Sequence, residues 1–145
     1  MVRPQSIVRY ERLYLSSFAL GLLASVLTWS ARAGALSMNP LLAGKTWLLW
    51  MTLALDIVIS LLLWRFTART PSIVAKWIVT VFAVFAAMGI LFSIFQLATA
   101  RIQLGMPVLL MAAVNILYIA AATLLFRRDA VHWFGEIPVG EEPFA

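Results

Sequence analysis

The 145 residues include six acids, one histidine and no cysteine, so the groups able to move a proton or hold a cation can be taken one by one. Asp56 stands apart from the other acids, because the run from Thr46 to Trp64 around it contains no other ionisable side chain. A carboxyl group there has two chemical uses: it can exchange a proton, or it can pair with a cation brought to it. Residues four apart share a helix face, and at that spacing Asp56 is flanked by Thr52 and Ser60, a polar stripe on a Leu-rich surface. The other polar amide deep in an apolar run is Asn115, with Tyr118 about one turn further on.

Counted from Trp64 and Phe126, Asp56 lies eight residues in and Asn115 eleven, a difference in depth of roughly 4.5 Å at 1.5 Å per residue. A side-chain hydrogen bond bridges that, so Asp56 is expected to donate to Asn115 or Tyr118. Arg65 is nine residues from Asp56, roughly 13 Å along the axis and beyond a snorkelling guanidinium. With no cation at its depth, Asp56 is expected to hold its proton at neutral pH. Two readings follow. Asp56 and Asn115 are interhelical glue, worth about 0.6 kcal/mol per bond in membranes, or Asp56 belongs to a proton or ion path.

Other chemistries lack their residues. Without cysteine there is no thiol nucleophile, disulfide or cysteine zinc site, and His132 alone cannot build a metal centre or a triad. No phosphate-binding or dinucleotide glycine loop occurs. No metal, no cofactor and no enzymatic activity are expected.

The elements that position Asp56 follow from composition. Apolar residues make up 63% of the chain and charged residues 12%, against about 45–50% and 25% in soluble domains, so the surplus must face lipid. A spanning helix needs roughly 20 apolar residues, and four runs qualify: Leu13–Trp29, Thr46–Trp64, Trp77–Leu97 and Gly105–Phe126. Trp29, Trp47, Trp50, Trp64 and Trp77 fall near their ends, where amphipathic rings settle. The expected fold is an all-α membrane protein, a four-transmembrane-helix bundle in one domain, with residues 127–145 as an interfacial and then frayed tail. Arg3, Arg9, Arg12, Arg65, Arg69, Lys76, Arg127 and Arg128 fall on one side, against Arg32, Lys45 and Arg101 on the other, which places both termini in the cytoplasm. An alternative parsing treats Ala31-Arg32-Ala33 as a signal cleavage site and leaves three spans in the same orientation.

Small residues mark the faces where helices approach: Ser17, Gly21 and Ser25 in the first run, Gly89 and Ser93 in the third. Phe82, Phe85 and Phe92 share the side of Gly89 and read as packing or lipid contact. The net charge of +5 sits at helix ends, so it argues for anionic headgroups rather than nucleic acid.

The opening Arg3-Pro4-Gln5-Ser6-Ile7-Val8-Arg9-Tyr10-Glu11-Arg12-Leu13-Tyr14, the Leu20-Gly21-Leu22 after it and the closing stretch from Phe126 to Phe134 resemble small four-span inner-membrane proteins of proteobacteria. The resemblance implies a multi-pass place in a bacterial inner membrane and implies no substrate. Small multidrug-resistance transporters share the four-helix plan but carry their carboxylate as Glu in the first span, where this chain has no acid between Leu13 and Trp29. The function expected first is a non-enzymatic accessory or assembly component, partnered by lipid and by itself or a larger membrane complex. The alternative is a homo-oligomeric proton-coupled carrier or channel using Asp56.

Overall fold

Runs of Leu, Ile, Val, Ala and Phe wind into helices until a breaker or a competing side chain intervenes. The computed structural model describes residues 3–136. The helices are α1 (Gln5–Leu27), α2 (Trp29–Met38), α3 (Trp47–Trp64, continued by a π-helical turn at Arg65–Arg69), α4 (Ile73–Ala98), α5 (Met106–Leu124) and α6 (Arg128–Trp133), with no strand among the described residues. Pro71 precedes α4, and the Ser72 hydroxyl caps it by accepting the Ala75 N–H at 3.3 Å. After α4 the chain reverses at Ala100, which takes φ 51°, and Gly105 and Pro107 start α5. The acidic tail expected beyond Glu136 lies outside the described residues.

With its π-turn, α3 is long and apolar enough to cross a membrane, as are α4 and α5; α1 and α2 qualify only together, as a pair bent by 57°. Three or four candidate spans result. The first expected span, Leu13–Trp29, differs most from what forms. Its helix starts at Gln5, breaks at Thr28 and resumes as α2, so the expected connection from Ser30 is helical as far as Met38. At the break the Thr28 hydroxyl donates to the Ala24 carbonyl at 2.7 Å, beside the backbone bond from Thr28 N–H to the same oxygen at 3.0 Å, and such back-bonding favours a bend.

α5 is the centre of the packing, lying along α1 on one side and against α4 on the other, while α3 touches its neighbours sparingly. Small residues decide where contact is close. Ala68, Ala75, Ala83, Ala121 and Ala122 are buried where backbones meet, around Ile7, Tyr10, Val79 and Leu125. This core lies toward the end of the bundle that carries the N-terminus and α6. The opposite halves of α3 and α4 leave Trp50, Leu55, Val84, Leu91 and Phe95 exposed, a larger apolar surface than a water-soluble monomer presents.

Polar groups pin the same end. Glu11 pairs with Arg3 at 2.7 Å and Arg69 at 2.9 Å and accepts the Trp64 indole N–H at 3.2 Å. The Thr67 carbonyl, orphaned at a helix end, accepts the Trp133 N–H at 3.2 Å. Lys76, read from sequence as a loop charge, is buried instead: its ammonium reaches Glu136 at 2.5 Å and sits 4.7 Å from the Phe126 ring centre and 5.4 Å from that of Phe134. The tail segment is therefore docked on the bundle.

Two outcomes follow for this end. The Tyr10 hydroxyl is buried with no hydrogen-bond partner among the described residues, so Tyr10→Phe will leave the thermal midpoint in detergent unchanged or higher, whereas Tyr10→Ala will cost about 3–5 kcal/mol. Slight burial pushes the Asp129 carboxyl up, but hydrogen bonds from Ser6 and from the backbone of Asp129 and Ala130 more than offset it, holding it below its ordinary 3.8. A depressed carboxyl stabilises the fold above that ordinary value and loses the contribution as pH falls through the lower folded one. Trp133 fluorescence will therefore report release of α6 only under acid conditions below about pH 4, a step that Asp129→Asn removes.

Candidate functional site

An apolar helix with bulky side chains cannot approach a neighbour as closely as one faced with Gly, Ala or Ser. α3 reads Leu-Leu-Trp-Met at its start and Leu-Asp-Ile-Val-Ile through its middle, and it stands off from α5. It is tied at one end, where Tyr14 donates to the Ser60 carbonyl at 3.0 Å and Leu63 is buried, and at the other, where Trp50 packs on Trp29 of α2 with ring centres 4.6 Å apart. Between these ties a cleft opens between α3 and the other helices, and three of its cavities have Asp56 in their wall.

The first cavity holds about 490 Å³ and is walled by Tyr14, Phe82, Phe85 and Tyr118, with Ser60 and Asn115 as the other polar residues beside Asp56. It contains no basic side chain. The second, about 130 Å³, lies against Ser17 and Gly21 of α1. The third, about 340 Å³, is lined by Gly21, Ser25, Thr52 and Met111, and by Arg32 of α2. The Asp56 carboxylate thus faces an aromatic, cation-free chamber on one side and a guanidinium across a polar chamber on the other.

Of the residues expected to form one polar site, Asp56, Ser60, Asn115 and Tyr118 do line one cavity, and Thr52 borders the adjoining one. The bond expected between them is not formed. Asp56 makes no hydrogen bond among the described residues and is exposed to the cleft. Asn115 turns to α4, where a Cβ built on Gly89 would lie 3.7 Å from its Nδ2. Thr52 bonds its own helix at the Leu49 carbonyl, 3.0 Å, and Tyr118 packs on Tyr14 with ring centres 5.6 Å apart. Matching depth was not sufficient, because α3 and α5 are separated sideways.

A second correction concerns charge. Asp56 does have a cation in its surroundings, since Arg32 lines the third cavity with it, without a direct ion pair between them. Reading Ser30–Lys45 as a loop hid this. The signal was present: steps of four, three and four from Gly21 land on Ser25, Thr28 and Arg32, one helix face continued through the bend. The bend at Thr28 then carries that face into the cleft.

The small-residue stripes meet α5. Ser17 is buried and donates to the Val114 carbonyl at 2.9 Å, Ser25 is buried, and a Cβ on Gly21 would lie 3.8 Å from Val114 Cγ1. On α4, Ser93 bonds the Gly89 carbonyl at 2.9 Å. No cluster of three or more His, Asp or Glu able to hold a metal occurs among the described residues.

The spacing at Gly21 is that of ordinary van der Waals contact, so Gly21→Ala will fold normally, whereas Gly21→Leu must push α1 from α5 and cost about 1–3 kcal/mol by overpacking, read as thermal unfolding in detergent. No protein-family model, curated protein or solved structure matches the chain.

Proposed function

We propose that the chain is a non-enzymatic, multi-pass protein of a bacterial inner membrane, with both termini cytoplasmic, that exchanges a proton for a cation at Asp56. It works as one copy of a homo-oligomeric carrier, since four helices rarely enclose a pathway alone and symmetric pairing completes one. The observation that carries this reading is the Asp56 carboxyl group, without a hydrogen bond among the described residues and bordering three cavities of the cleft.

An ionised Asp at mid-membrane costs about 2.5–3.5 kcal/mol on the lenient insertion scale. Interhelical glue would return part of that through a bond, and no such bond forms here, which favours a chemical role over an assembly or accessory one. An exposed carboxyl in a cleft with space for a ligand can gain and lose its proton without unfolding the bundle. Tyr14 and Tyr118 supply hydroxyl-bearing walls beside it, and Arg32 supplies a counter-charge when the proton is gone.

Infrared difference spectra of the protein reconstituted in liposomes will show one carboxyl band, outside the water-exposed population, that titrates reversibly and vanishes in Asp56→Asn while the helical signature persists. A carboxyl that keeps one protonation state throughout the pH range in which the bundle is folded would sink the proposal.

A further inference from the structure

The two large chambers on either side of Asp56 differ in a way that identifies what each accepts. The chamber toward α2 already contains a positive group, Arg32. The chamber toward α4 holds about 490 Å³, contains four aromatic rings and one carboxylate, and has no basic side chain. Ligand sites for small organic molecules fall in about the 300–1,000 Å³ range and combine apolar walls with a few polar groups. Aromatic faces attract cations through their quadrupole, most strongly where water is excluded. A carboxylate at the centre of such walls excludes anions by repulsion.

Access is also defined. Ile59, Phe82 and Phe85, which line this chamber, are 43%, 43% and 60% exposed, and the two helices that carry them, α3 and α4, barely touch. The chamber therefore opens sideways between apolar helices rather than along the axis toward water. A solute entering there must dissolve in an apolar surrounding before it reaches Asp56. An inorganic ion with its hydration shell does not meet that condition, and an organic cation whose charge is buried in an apolar body does.

We propose that the α4-side chamber is a binding site for a monovalent lipophilic organic cation, with Asp56 as its counter-charge, and that Arg32 is the internal cation that competes for the same carboxylate from the other chamber. The inference rests on the carrier reading above and names its substrate class. When the site is empty, Arg32 is the charge that faces Asp56. When it is filled, the ligand's positive centre takes that role, with Phe82, Phe85, Tyr14 and Tyr118 around its apolar body. Both groups draw on one negative charge, so removing Arg32 must strengthen ligand binding, a consequence that a merely structural Arg32 would not have.

The experiment is equilibrium binding to the full chain in nanodiscs, using tetraphenylphosphonium as probe and tetraphenylborate, of the same shape and opposite charge, as control. Saturable binding of the cation and none of the anion is expected. Asp56→Asn will weaken the cation on the order of a hundredfold, as loss of one partner of a desolvated charge pair does, Asp56→Glu will keep it, and Arg32→Gln will tighten it severalfold. Equal uptake of both ions, or an Asp56→Asn variant that binds as the parent does, overturns the ligand assignment, and an Arg32→Gln variant with unchanged or weaker affinity overturns the competition. If the infrared titration of Asp56 persists while the phosphonium does not bind, the substrate class is wrong and the carrier reading stands; if Asp56 does not titrate, the carrier reading itself fails.

Discussion

Helices whose outer faces suit lipid gain little from the hydrophobic effect when they meet one another, because a Leu side chain is as well placed against an acyl chain as against another Leu. What remains to hold such a bundle together is close backbone approach over small residues and the pairing of polar groups. The distribution of this chain's core follows from that constraint. Where Ala68, Ala75, Ala121 and Ala122 allow contact, and where Glu11, Lys76 and Asp129 find partners, the helices are locked. Where α3 presents Leu, Ile and Val through its middle, it stands off from α5, and a cleft is left behind.

The site is a consequence of that uneven packing. Asp56 does not fasten α3 to α5; it is exposed because α3 is not fastened there at all. The same looseness that leaves its carboxylate without a bond leaves room beside it, aromatic on one side and facing Arg32 on the other. A tight four-helix bundle would have had to satisfy or expel this carboxylate. Here α3 is tied by Tyr14 to Ser60 and by the π-helical turn at one end and by Trp50 on Trp29 at the other, and the stretch around Asp56 is left open.

Lys76 and Arg32 show how a positive charge can be legible in type and still be misplaced. Both were read as charges on connections, where they set orientation. Lys76 is drawn inward because two rings and a carboxylate converge on it from α6 and the end of α5, which are far away in sequence. Arg32 lines the cleft because α2 continues the α1 face through the bend at Thr28. Hydropathy averages over many residues, so neither a single back-bonded threonine nor a distant pair of rings registers in it.

The sequence by itself determined that α3, α4 and α5 form as long apolar helices, roughly where they start and stop, and how deep along them each polar residue sits. Those are one-dimensional properties: the length of an apolar run and a rise of 1.5 Å per residue suffice to state them. The tertiary structure decided which faces meet and how far apart they stand. That is why Asp56 and Asn115, close in depth, share a cavity without a bond, why Asn115 turns to Gly89, and why Arg32 lines a cavity with Asp56 from a segment whose sequence reads as a connection. Azimuth and lateral separation depend on the fit of side chains from helices distant in sequence, and that fit exists only once the bundle is assembled.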